Sequence, residues 1–311
     1  MLLTDYFLSD KNIQWDYAKQ CGVNHAVIRL PETDDFDLTN AAHWGDVYKR
    51  FTDYDITPVI VEPMPNSVHD HIKAGDALRD ESIEKVIKML PIMDSLDIRT
   101  ICFNWMAHIG WYRTDKNIIT RGGAKVTGFD LAKFEDTGKV ISEDELWNNY
   151  KYFIDAVLPV AEKHNITLAL HPDDPPLAKL GDVSRIMVSY ENINKAIRLR
   201  ESENLGLTMC QACFQMMGED LNQVIPATAD KIKFIHFRNA SGNKMKFQEK
   251  FHDDGDIDMA DVMRLYKKLG INVPIRIDHA PVMAGEENTA PGYTFLGRLF
   301  AIGYLKGLLE V

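Results

Sequence analysis

Four residues of metal-ligand type close four successive apolar segments in the C-terminal half of the sequence. Thr167-Leu-Ala-Leu runs into His171, Leu205-Gly-Leu-Thr-Met into Cys210, Ile232-Lys-Phe-Ile into His236, and Ile275-Arg-Ile into Asp278. Two imidazoles, a thiolate and a carboxylate form a donor set for a divalent cation. The intervals of 39, 26 and 42 residues (171 to 210, 210 to 236, 236 to 278) are each about one strand-plus-helix unit. That spacing predicts the four side chains on neighbouring strands, ~4.8 Å apart around a rim. Singly, each is ordinary: a strand-end histidine is more often a hydrogen-bonded structural residue, and a buried cysteine more often a small hydrophobe. Convergence on four successive strands carries the metal reading. Cys213 forms a Cys-x-x-Cys pair with Cys210, but no second pair exists elsewhere, which argues against zinc-ribbon or thioredoxin chemistry. A thiolate with imidazoles suits Zn²⁺, whereas a carboxylate and an oxygen-rich ligand suit Mn²⁺, Mg²⁺ or Fe²⁺, and spacing leaves the choice open.

Strand alternation extends the set. Ala169 and His171 would face inward while leucines 168 and 170 face outward, and the same parity turns Arg238 inward with His236 and Arg276 with Asp278. Arg113 lies in Trp-Tyr-Arg-Thr-Asp, within a long loop. These three guanidinia are candidates to bind a carboxylate, set against the plainer reading of ion pairs that brace loops. His279, beside Asp278, and Tyr293, in Pro-Gly-Tyr, are candidate proton donors or acceptors; Glu62, His69 and His252 are weaker ones.

Something must hold these residues in a ring. Short β-branched or apolar runs near 2–7, 24–30, 57–63, 99–105, 166–172, 205–210, 232–238 and 274–279 alternate with amphipathic helical stretches. The helices are expected near 10–21, 43–54, 76–96, 143–163, 184–200, 219–229, 258–269 and 293–309. Eight strands, each followed by a helix, predict an α/β fold of the (β/α)8 TIM-barrel type, one domain over 1–311, with its site at the C-terminal strand ends. The fourth strand and its helix are separated by an excursion over 107–142, whose Arg-Gly-Gly-Ala-Lys-Val-Thr-Gly-Phe-Asp segment (121–130) predicts a small hairpin over the barrel mouth.

Composition sets outer limits. Lys and Arg number 35 against 46 Asp and Glu, a net charge of −11, which argues against a nucleic-acid partner. No apolar run reaches the ~18 residues of a membrane helix, and the N-terminus lacks a basic stretch followed by an apolar one. Four cysteines in 311 residues are too sparse for a disulfide scaffold, and a reducing, cytoplasmic location is the expectation. No coiled-coil heptad run is evident, although barrels of this kind often self-associate into homo-oligomers.

At these residues the sequence resembles the D-mannonate dehydratase family. The resemblance rests on His-Pro-Asp-Asp-Pro-Pro (171–176), Leu-Thr-Met-Cys (207–210), His-Phe-Arg (236–238), Asp-Gly-Asp-Ile-Asp-Met (254–259), Arg-Ile-Asp-His (276–279), and Pro-Gly-Tyr with a following Leu-Gly-Arg (291–298). Weaker similarity reaches Val-His-Asp-His-Ile-Lys (68–73), Phe-Asn-Trp-Met (103–106) and Arg-Thr-Asp (113–115). It implies a TIM barrel of the xylose-isomerase-like superfamily that dehydrates a small sugar acid, D-mannonate, to 2-keto-3-deoxy-D-gluconate in hexuronate catabolism. The implied cofactor is a divalent metal, typically Mn²⁺, with Fe²⁺, Co²⁺, Mg²⁺ and Zn²⁺ also compatible. The family's ligands map to His171, Cys210, His236 and Asp278, and its catalytic histidine and tyrosine to His279 and Tyr293, with acid and base undivided. Substrate binding then falls to Arg113, Arg238, Arg276 and His69. The sequence departs from the family in its second strand and following loop, in Glu-Pro-Met-Pro-Asn-Ser (62–67) and at Gln248. A metal-dependent sugar isomerase or epimerase on the same barrel is the alternative, and a non-catalytic sugar-acid-binding barrel a remote one.

Overall fold

The structure, a computed structural model, describes residues 1–310. Eight strands form the central sheet: β1 (Leu2–Leu8), β2 (His25–Arg29), β3 (Thr57–Val61), β4 (Thr100–Phe103), β5 (Thr167–Leu170), β6 (Leu205–Cys210), β7 (Ile232–Phe237) and β8 (Pro274–Ile277). They close as a barrel in the order β1-β8-β7-β6-β5-β4-β3-β2, every neighbour parallel. The alternation read from the sequence separates two apolar volumes. Leu168, Leu170, Ile235, Phe237, Ile275 and Ile277 join the large core between strands and helices. Val27, Ile60, Cys102 and Phe234 form a small cluster apart from it, packed against Tyr6 and Val59.

Among the described residues, ten α-helices surround the strands, where eight were expected: α1 (Ile13–Gln20), α2 (Ala41–Thr52), α3 (Asn66–Ala74), α4 (Arg79–Ser95), α5 (Glu143–Lys163), α6 (Tyr190–Ile197), α7 (Gln211–Met217), α8 (Leu221–Thr228), α9 (Met259–Lys268) and α10 (Phe295–Glu310). Two βα units carry an extra helix. α3 ends at Gly75 in the left-handed conformation, a stop that divides 66–95 into two helices. α7 starts directly on Cys210 and stops at Gly218, also left-handed. The starts of α1, α2, α6 and α9 follow side chains that accept from the first-turn amides, Asn12, Asn40, Ser189 and Asp258, and Ser142 with Glu145 makes a capping box for α5.

The excursion after β4 is more than a hairpin. Its strands Asp115–Ile119 and Lys125–Asp130 join a second hairpin, Ala240–Asn243 and Lys246–Glu249, from the loop after β7, giving a four-stranded antiparallel sheet. Lys125 also bridges to Val282, in the loop after β8. Three loops distant in sequence are therefore tied at one end of the barrel. In the last of them, a Cβ on Gly297 of α10 would stand 2.0 Å from the Pro281 carbonyl oxygen. Only glycine lets the helix approach the loop that follows the last strand. Gly297→Ala is expected to cost ~1–3 kcal/mol and to lower the melting temperature in a thermal scan; an unchanged midpoint would contradict this close approach.

Candidate active site and metal centre

Ladder register sets the four sequence-predicted donors side by side. Cys210 pairs in register with His236, and His236 with Arg276, so all three lie level on the inner face. His171 and Asp278 fall one residue beyond the ends of β5 and β8, yet their amides still bond the neighbouring strands, to the Phe103 and Phe237 carbonyls at 2.7 and 3.0 Å. One donor atom from each of His171, Cys210, His236 and Asp278 lies within 4.8 Å of the other three. Ligands with bonds of ~2.0–2.3 Å around one ion are separated by no more than ~4.5 Å, so the cluster needs little adjustment to close on a cation.

The side-chain environment fits that use. His171 Nδ1 lies 2.6 Å from the Pro172 carbonyl, which fixes Nδ1 as the protonated nitrogen and leaves Nε2 as a donor atom. Both ring nitrogens of His236 are buried without a hydrogen-bond partner, although Glu62 and Asp278 oxygens stand 3.0 and 3.6 Å away out of alignment. Burial pushes the Cys210 thiol up, but a hydrogen bond from Cys213, the Arg238 guanidinium and His171 reverse this and hold it well below the ordinary thiol range. Burial lowers His171, and the Cys210 sulfur, Asp278 and Glu62 outweigh it and raise the imidazole to about 9. A proton trapped between a thiolate and an imidazole is what a divalent cation displaces on binding. Two further clusters, Glu62/Cys102/His236 and Asp174/Glu249/His279, are less suited. Their carboxylates are already held by arginine: Glu62 by Arg276, and Asp174 and Glu249 by Arg113 and Arg238.

A cavity of about 690 Å³ opens above the donors and is lined by His171, His236, Asp278, His279, Tyr293 and Arg276. The Tyr293 phenol donates to Asp278 Oδ1 at 3.2 Å, and its ring stands edge-on to His279 at 5.2 Å between centroids. Burial, reinforced by Asp278, pushes this phenol well above its ordinary value. His279 takes a left-handed backbone conformation, φ 38°, unusual for a residue with a side chain. From there Nδ1 reaches Glu249 Oε1 at 3.1 Å.

The D-mannonate dehydratase family model matches residues 3–140 and 134–311. The chain belongs to the D-mannonate dehydratase family. A mannonate dehydratase of Oceanobacillus iheyensis is 31% identical over 286 residues, covering 82% of this chain and 81% of that protein. One from Streptococcus suis is 29% identical over 324 residues, 93% of this chain and 86% of that one. The crystal structure of mannonate dehydratase from Streptococcus suis serotype 2 superposes with a TM-score of 0.91 at 26% identity, over 100% of this chain and 93% of that one. These relatives place the chain among the hydro-lyases. D-psicose 3-epimerase from Clostridium cellulolyticum H10 covers 100% of this chain and 99% of its own at a TM-score of 0.66 but 11% identity, a likeness of fold alone.

The arginines expected to clamp the substrate are engaged elsewhere. Arg113 and Arg238 have fully buried side chains and do not line the cavity. Arg113 forks onto Asp174 at 2.7 and 2.8 Å and reaches Glu249 at 2.7 Å; Arg238 bonds Glu249 at 2.8 and 2.6 Å and Asp174 at 2.7 Å. Arg276 does line the cavity, with its donors taken by Glu62, Asp278 and the Ile277 carbonyl. His69 packs among Phe103, Trp105 and Phe153, away from the cavity. His252 stacks on Phe237 with Nε2 on the Phe237 carbonyl, and burial lowers it to about 4. Glu249 and Asp174 were missed by the sequence reading. Asp174 sits in the quoted His-Pro-Asp-Asp-Pro-Pro stretch, but nothing local marks Glu249, whose partners are 11, 30 and 136 residues away.

Burial alone would raise Asp174 and Glu249. Arg113 and Arg238 hold Asp174 well below the carboxylate range, and Arg238, His279 and Arg113 bring Glu249 down to about 2. Groups depressed on folding stabilise above their unfolded value of ~4 and lose that contribution as pH falls through the folded one. Glu249→Gln is therefore expected to cost ~3–5 kcal/mol at neutral pH, with the gap to the unsubstituted protein narrowing from pH ~4 down to about 2 in denaturant titrations. A gap independent of pH would contradict the charged network.

Proposed function

We propose that the chain dehydrates D-mannonate to 2-keto-3-deoxy-D-gluconate and water, in the cytoplasm and as a step of hexuronate breakdown, using Mn²⁺ held by His171, Cys210, His236 and Asp278. The observation that carries this reading is the convergence of those four donors, within 4.8 Å of one another, beneath a cavity that also presents His279 and Tyr293. When bound, the divalent ion supplies Lewis-acid stabilisation of the negative charge that develops beside the substrate carboxylate.

The chain's own groups divide the proton transfers. His279 Nδ1 is engaged by Glu249, which leaves Nε2 to accept the C2 proton. Tyr293 is kept protonated by burial and by Asp278. Its phenol gives that proton to the C3 oxygen as the C3–O bond breaks, since departing hydroxide is a far stronger base than phenolate. Loss of both yields an enol that tautomerises to the 2-keto acid, with one water released. Glu249 acts as a positioning residue, itself fixed by Arg113 and Arg238. Arg276 holds Glu62 and Asp278 in place at the cavity wall.

Mn²⁺-loaded protein incubated with D-mannonate should form a 2-keto-3-deoxy acid. Tyr293→Phe, which keeps the ring but removes the proton, is expected to lower kcat by ~10²–10⁴-fold with metal content unchanged. A product that conserves the mass of the substrate, or full turnover by the Tyr293→Phe variant, would contradict the assignment.

A further inference from the structure

Once Arg113 and Arg238 are placed outside the cavity, a different arginine stands out. Of the cationic side chains that line the cavity, Arg276, Arg298 and Lys73 are buried and each already holds a carboxylate: Glu62 and Asp278, Asp5, and Asp70 respectively. Arg29 is the exception. It sits at the end of β2, its side chain is 41% exposed, and it has one acidic partner, Glu32 at 2.7 Å, three residues on in a surface loop. Exposed ion pairs of this kind contribute little, so an incoming carboxylate can take the place of Glu32 and gain the forked geometry a guanidinium offers.

Its location relative to the donors indicates what it would meet. Tyr6 lies against Arg29, which partly offsets the rise of the phenol on burial. The Tyr6 ring is 5.4 Å from the Tyr293 ring, and Tyr293 reaches Asp278. Arg29 therefore stands two aromatic rings away from the metal donors, along the same cavity. A sugar acid held at its C1–C3 end by the donors, His279 and Tyr293 would extend its far end toward Arg29. D-Mannonate ends there in a neutral CH₂OH, which cannot displace Glu32 from the guanidinium, whereas a carboxylate can. We infer that Arg29 reads the far end of the substrate and that the preferred substrate is a six-carbon diacid, with a second carboxylate at C6. This inference rests on the dehydratase reading and extends it from D-mannonate to the corresponding C6 diacid as the better substrate; the bond changes at C2 and C3 are the same.

The test compares D-mannonate with D-mannarate, which differ only in the oxidation state of C6, on the Mn²⁺-loaded full chain. Wild-type kcat/KM is expected to be at least tenfold higher for mannarate, and Arg29→Gln to bring the ratio to within threefold of one. Mannonate turned over as well as or better than mannarate, or an unchanged ratio in the variant, would overturn the inference while leaving the dehydratase reading intact. Turnover of neither acid would refute that reading instead. Calorimetry then still decides on Arg29: tighter binding of mannarate, lost in Arg29→Gln, supports it, and equal affinities overturn it.

Discussion

Charge taken out of water at one end of a barrel must be met by charge. Every ionised group at the catalytic end of this molecule is arranged by that requirement. Arg276 is matched to Glu62 and Asp278, Arg298 to Asp5, and Arg113 and Arg238 share Asp174 and Glu249 in one dry volume. Removing one partner strands the others, so loops after β4, β5, β7 and β8 are held together by a common need for neutralisation. His279 is part of the same arrangement through Glu249, and its orientation follows from the pairing of Glu249 with Arg113 and Arg238, none of which lines the cavity.

The metal donors follow the same logic with a different counter-ion. A thiolate and a carboxylate facing two imidazoles form a site whose protons, in the absence of a cation, must be shared between His171 and Cys210. The register of β6, β7 and β8 places Cys210, His236 and Arg276 level. The Arg276 guanidinium and the donors that would hold a divalent cation then lie on adjacent strands, with Arg276 turned to both oxygens of Glu62 and to Oδ1 of Asp278.

How much of this was legible in the sequence depended on whether the determining interactions were local. His171, Cys210, His236 and Asp278 were readable because strand alternation and one-unit spacing are periodic properties, and the barrel itself enforces the convergence they predict. His279 and Tyr293 were already candidate proton donors or acceptors from their positions beside Asp278 and in Pro-Gly-Tyr, and the family resemblance added their catalytic role. Arg113 and Arg238 were read as substrate clamps because their inward or loop positions were visible and their partners were not. Glu249 arrives from a hairpin in the loop after β7, and its link to Arg113 spans 136 residues. The hairpin over 121–130 was anticipated, but its completion into a four-stranded sheet by a second loop was not, since nothing near Lys125 encodes Phe247 as a neighbour of Phe129. The helix α3, which precedes the stretch expected near 76–96, was missed for a simpler reason: it is nine residues long, too short for its period to show.

The central claim is that Cys210 is a ligand in a four-donor metal site, and Co²⁺ substitution tests it most directly. The account predicts one Co²⁺ per chain with an intense near-ultraviolet thiolate-to-metal band. In Cys210→Ser that band should vanish and affinity fall, with the circular dichroism of the fold retained. An identical band and undiminished metal content in Cys210→Ser would contradict the assignment.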